Sequence, residues 1–161
     1  MLRRSLISAA LASGLTMGAF APALAQTEIQ WWHSMGGNLG EWVNDQAKGF
    51  NESQKEYKVV PVFKGSYDES MTAAIAAYRS GNAPHILQVF EVGTATMMAA
   101  KGAVKPVHDL MKEAGYKFDP AVYVPAVAGY YTAPNGQMQS LPFNSSTTVF
   151  HYNKDAFKAA G

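Results

Sequence analysis

Apolar and polar positions alternate from Glu28 to His33, with Ile29 and Trp31 set against Glu28 and Gln30. That is the period of a strand with one buried face. Gly36-Gly37 breaks the pattern, and from Leu39 to Asn51 the spacing becomes helical, with Leu39, Trp42, Val43, Ala47 and Phe50 on one face. Val-rich Tyr57 to Phe63 predicts a second strand, and Gly65-Ser66 a turn. A second helix is expected from about Asp68 to Ser80, with Met71, Ala74, Ile75 and Tyr78 inward and Gly81 as its stop. Ile86 to Phe90 is nearly continuous apolar sequence, as in a buried parallel strand.

"EVGTATMMAAKG" then reads as a turn and a short helix ending at Gly102, and Pro106 to Ala114 as another short helix. Gly129–Thr132 and Gln137–Phe143 bracket "APNG", whose Asn135-Gly136 pair predicts a hairpin. Strand–helix alternation predicts an α/β sheet with parallel strands and right-handed crossovers. Ligands of such sheets bind outside the carboxyl ends of the strands. The three loops there place Ser34, Tyr67 and Glu91 on one rim.

The first 25 residues stand apart. "MLRRSLISAALASGLTMGAFAPALA" has a basic start, an apolar middle and an Ala23-Leu24-Ala25 exit, which predicts a secretory leader cut after Ala25. The Arg3-Arg4 pair leaves the general and twin-arginine export routes both open. No Cys occurs among the 161 residues, which excludes a disulfide framework, a thiolate metal site and a lipid-modified N-terminal Cys. Removing Arg3 and Arg4 from the 13 basic residues leaves 11 against 12 acidic ones, a formal charge of −1. Nothing in that balance draws the chain to nucleic acid or an anionic membrane surface.

No catalytic constellation emerges. His33, His85, His108 and His151 lack the i, i+4 spacing of a zinc pair. Ser145 and Ser146 lie in no nucleophile elbow, and the "VGTAT" run has no phosphate-loop lysine. Asp68-Glu69 most simply serves a helix dipole. The expectation is a binding protein without cofactor or metal. Glu91 is either an exposed loop acid or a carboxylate accepting hydrogen bonds from ligand hydroxyls. Tyr67 is either packing at a helix start or a phenol aimed at a ligand. The small polar run Asn144–Thr148, set between apolar ends, is either a loop or a row of donors. Within it Asn144, Ser145, Thr147 and Thr148 are expected to satisfy local backbone groups.

"FNSST" and "YNKDAFKAAG" (143–161) resemble the crossover segment of the solute-binding proteins of ABC transporters, in the extracellular family that carries sugars. "RSGNAPHILQV" (79–89) is similar to that family's approach to its third strand, with His85 where Asp is common. "WWHSMGGNLGEWVNDQAKGFN", "FKGSYDESMTAAIAAYRSGNAP", "QVFEVGTATMMAAKGAVKPV" and "PFNSSTTVFHYNKDAFKAAG" resemble the branch that takes up glycerol 3-phosphate, across the whole chain after the leader.

The resemblance implies a type II periplasmic binding fold, two α/β lobes closing on the solute. Residues 26–148 would form the first lobe and 149–161 the start of the crossover, so the chain reads as an N-terminal portion. The implied ligands are sn-glycerol 3-phosphate and glycerophosphodiesters. The implied partners are an inner-membrane permease and its ATPase, and the expected state is a periplasmic monomer. The matching positions are Tyr67, Glu91 and Ser146. Glu91 would hold glycerol hydroxyls, because a carboxylate repels phosphate; Tyr67 and Ser146 would bond the phosphate side. Arg79, the one Arg after the leader, sits at a helix end expected to be exposed, which puts the main cationic partner in the second lobe. Residues 26–161 alone are then expected to bind solute weakly or not at all. Competing readings are a binder of maltose-like or other oligosaccharides, an exported phosphodiesterase, and a ligand-sensing partner of a receptor.

Overall fold

The computed structural model describes residues 26–100 and 102–161, and for Glu91, Val92 and Met98 the backbone alone. The expected leader at 1–25 lies outside the described residues. The elements are β1 (Thr27–His33), α1 (Gly37–Ser53), β2 (Tyr57–Phe63), α2 (Tyr67–Arg79), β3 (Ile86–Leu87), α3 (Glu91–Ala99), α4 (Val107–Glu113), a 3-10 turn (Pro120–Val122), α5 (Pro125–Tyr130) and α6 (Lys154–Ala160).

The sheet is three-stranded in the order β2-β1-β3, and both pairings are parallel. β1 and β2 are in register from Thr27↔Tyr57 to His33↔Phe63. One crossover steps from β1 to β2, and the next returns past β1 to β3. Right-handed connections therefore put α1 and α2 on opposite faces.

The free edge of β2 is closed by side-chain amides. Asn51 Nδ2 donates to the Val59 carbonyl at 2.8 Å, and Asn51 Oδ1 accepts the Val59 N–H at 2.7 Å. Gln54 does the same for Tyr57, with both bonds at 2.7 Å. Pro61 has no N–H to leave open. Asn51 is thus a helix residue that seals an edge strand, not the helix end the sequence suggested.

α2 opens with a full capping box: the Glu69 N–H donates to Ser66 Oγ at 3.3 Å, and the Ser66 N–H to Glu69 Oε2 at 2.7 Å. Gly81 follows its end with φ +77°, as its expected stop.

Three expectations need correction. β3 is two residues long, not five, and lies at a sheet edge with Ile86 46% exposed, so it is not a buried strand. Its backbone leaves the ladder after the Gln88 N–H has donated to the Trp32 carbonyl at 2.9 Å. The apolar faces of α1 and α2 are narrower than their spacing implied. Val43 and Ala47, one turn apart, are buried, whereas Leu39, Trp42, Phe50 and Tyr78 remain exposed, because three strands are too few to cover a wide stripe.

The hairpin contracts to the single antiparallel bridge Thr132↔Met138, and Gly129 and Tyr130 belong to α5. The Gly136 N–H closes a turn on the Ala133 carbonyl at 2.9 Å. Gly136 has φ +82° while Asn135 does not enter the left-handed region, so this is a turn followed by a left-handed Gly rather than the two-residue Asn-Gly type.

Met138 is nevertheless 3% exposed. Segment 138–139 supplies carbonyls to the Val107 and His108 N–H groups at the open start of α4. From Leu141 to Asn153 the backbone takes no regular structure.

Candidate functional site

The carboxyl ends of β1 and β3 lie side by side, and their following chains part toward α1 and α3. Such a divergence between parallel neighbours is the switch point at which open α/β sheets bind ligands. At the end of β1, His33 is 3% exposed and its Nδ1 accepts the Met35 N–H at 3.3 Å. Burial holds its pKa below the ordinary value, which favours the neutral ring, and with Nδ1 accepting, the proton of that form sits on Nε2. Met35 is buried as well, and its carbonyl lies so close to Gly40 that a Cβ there would stand 2.7 Å from the oxygen. The glycine lets the first turn of α1 settle directly on the β1 exit. A groove of about 390 Å³ runs beside it, lined by His33, Gly36, Gly37, Glu41 and Phe63 among others.

At the end of β3, Gln88 is 8% exposed and both ends of its amide are used. Oε1 accepts the Ser34 N–H at 3.0 Å, and Nε2 donates to Asn144 Oδ1 at 3.4 Å. The Asn144 Nδ2 in turn lies 3.8 Å from the Met35 sulfur. Next to it, the Phe143 ring stands edge-on to Trp31 at 5.3 Å and tilted on Trp42 at 5.2 Å. The two tryptophans of β1 therefore serve opposite faces: Trp31 packs on Phe143, and Trp32 is 8% exposed beneath the Lys64 ammonium. The Ser34 hydroxyl is buried and has no hydrogen-bond partner among the described residues.

Tyr67 is the first residue of α2 and Glu91 the first of α3. The Tyr67 ring stacks on Phe90 at 5.4 Å and 21°, which brings the start of α2 against the residue preceding Glu91. Tyr67 thus does the packing its helix-start position suggested. The Glu91 side chain is outside what the structure describes. The rim expected from the sequence is present at backbone level, with Ser34, Tyr67 and Glu91 each following the carboxyl end of a parallel strand. The N-termini of α1 and α3 carry no side-chain cap, so backbone N–H groups stay open there.

Ser146 is exposed and makes no hydrogen bond or ring contact among the described residues, so it is not brought against Tyr67. Asn144 bonds side chains of two distant elements rather than local backbone, contrary to expectation. Gln88 was not singled out by its sequence, although a lone amide following an apolar strand is the signal that could have marked it. His85 is structural: its Nδ1 accepts the Gln30 N–H at 3.0 Å and prolongs the β1–β3 ladder. Among the described residues no group of three or more His, Asp or Glu side chains is placed to hold a metal ion. No helix among them is long and apolar enough to cross a membrane.

The described residues thus form a parallel sheet with a polar switch point, the place where open α/β sheets bind ligands. Residues 32–161 match the family described as bacterial extracellular solute-binding protein, and the chain belongs to that family. Among relatives, the sn-glycerol-3-phosphate-binding periplasmic protein of Yersinia enterocolitica is 56% identical over 162 residues, covering 100% of this chain and 37% of the relative. The protein of the same name from Brucella suis is 49% identical, with 100% and 37% covered. That from Salmonella paratyphi A is 56% identical over 158 residues, with 98% and 36% covered. The chain spans somewhat over a third of the length of these curated relatives.

Proposed function

We propose that this chain is the first lobe of a two-lobed periplasmic binding protein that captures sn-glycerol 3-phosphate and glycerophosphodiesters. It would deliver them to the membrane permease of an ABC importer. One observation carries the reading: over the whole of this chain, relatives named for sn-glycerol 3-phosphate are 49% and 56% identical. The rim geometry supports it. A polyol phosphate needs a hydroxyl acceptor at one end and donors at the other. Glu91 would offer the first, while Tyr67, the open N–H groups of α1 and, once brought to the rim, Ser146 would offer the second.

In this reading residues 26–148 form the lobe and 149–161 begin the crossover. The leader is removed after Ala25, the protein acts as a monomer, and it binds without turnover or cofactor. A dianion also needs a charged donor. Arg79 is exposed at the end of α2, away from the strand ends, so in this reading the main charged donor comes from the second lobe.

Calorimetric titration of the complete two-lobed protein with sn-glycerol 3-phosphate tests the reading, since residues 26–161 alone are expected to bind weakly or not at all. Binding that is lost in Glu91→Ala and is not matched by maltose supports it. Preference for an oligosaccharide, or hydrolysis of glycerophosphocholine by the purified protein, would overturn it.

A further inference from the structure

We propose that Gln88 and Asn144 form a side-chain clasp that positions segment 143–148, and Ser146 within it, against the β1/β3 end of the rim. The inference rests on the solute-binding reading above for its consequence, but its geometry stands by itself. A buried amide is costly unless hydrogen-bonded, and an apolar residue would fill the end of β3 more cheaply. At position 88 the side-chain amide instead joins two stretches far apart in sequence, Ser34 through Oε1 and Asn144 through Nε2, beside the backbone N–H bond to the Trp32 carbonyl.

Asn144 closes the clasp from the other side by reaching Met35, while Phe143 is wedged between Trp31 and Trp42. Residues 143 and 144 are therefore fixed, and Ser145 to Phe150 beyond them are exposed. Two residues of chain span at most about 7 Å. Where Ser146 can stand is set by where Asn144 is held. Gln88 is a positioning residue in this scheme and Ser146 the one that touches solute.

Two measurements on the complete two-lobed protein test this, with any Cys outside these residues replaced. The chain has no Cys, so Asp68→Cys with Thr147→Cys gives one clean pair of spin labels across the rim. A single narrow distance is expected in this background, broadening when Gln88→Leu or Asn144→Ala is added. In calorimetry with sn-glycerol 3-phosphate, Gln88→Leu is expected to weaken binding about tenfold, the order of one lost buried hydrogen-bond pair. Adding Gln88→Leu to Ser146→Ala should cost nothing further, because the clasp acts through Ser146.

Unchanged distances in both variants overturn the clasp, and so do effects of Gln88→Leu and Ser146→Ala that simply multiply. If Gln88→Leu does not fold, Asn144→Ala, at an exposed position, decides. If the unmodified protein binds no glycerol phosphate while the distances still broaden, the clasp stands and the solute reading falls.

Discussion

Between Thr27 and Phe90 the apolar side chains have a sheet to pack on; between Val104 and Phe157 they do not. Trp32, Met35, Val43, Ala47 and Ala74 are buried in the first region, whereas only Val107 and Met138 are buried in the second. The contrast is not one of composition. Phe150, Tyr152 and Phe157 form a run of ring contacts at 6.1 and 5.2 Å, yet Phe150 remains 81% exposed. Apolar periodicity marks a face, and a second element must then cover it. Parallel pairing of β1 with β2 supplies that cover for α1. Among the described residues no sheet does so for α6.

The comparison can be broken at several points. The largest effect is expected at Val43, fully buried between α1 and the sheet: Val43→Ala should cost about 2–3 kcal/mol in urea unfolding. A loss under about 0.5 kcal/mol would mean that the first region is no better packed than the second. Asn51→Ala strips both hydrogen bonds from Val59 at the β2 edge, and a loss of about 1–2 kcal/mol with increased self-association by light scattering is expected. Ser66→Ala removes one half of the capping box and should cost about 1 kcal/mol. At the small end, Phe150→Ala should shift stability by no more than about 0.5 kcal/mol. A larger change would show that the second region already has a packed partner.

Acid sharpens the same contrast, because both shifted groups flanking the strand ends lie in the first region. The Glu69 carboxylate is held below its ordinary value of 4.5 by the Ser66 backbone N–H and then by the Ser66 hydroxyl. The unfolded chain binds that proton more readily, so the contribution is complete above pH 4.5 and disappears as pH falls through the lower folded value. His33 is lowered from 6.5 by burial, and the sign is the same. Its contribution is present above pH 6.5 and declines as pH drops from there toward the folded value. His33→Gln should flatten the upper part of a melting-temperature profile between pH 7 and 5, and Glu69→Gln the part below 4.5. A profile unchanged by both substitutions would leave acid sensitivity to residues elsewhere.

Much of the first region was legible in advance. The strand period at 28–33, the helical spacing around Val43 and Ala47, the Gly65-Ser66 turn and the Gly81 stop are all local, and local geometry is what chain period and turn residues encode. The rim followed from topology, since parallel strands must send their exits to one side. The hairpin at 129–143 was misread because Asn-Gly fixes a turn but not the length of the strands beside it. Gln88 and Asn144 were invisible as a pair, because no sequence pattern links an amide after one strand to another 56 residues on.

The sequence by itself determined the alternation of strands and helices, the glycine stop after the second helix, the family of the protein and the residues at the strand ends. Only the tertiary structure decided which apolar faces are covered, that β3 is a two-residue edge strand, and that Gln88 ties Ser34 to Asn144. The reason is physical. Backbone periodicity and capping act within a few residues, whereas burial and buried hydrogen bonds depend on which distant surfaces meet.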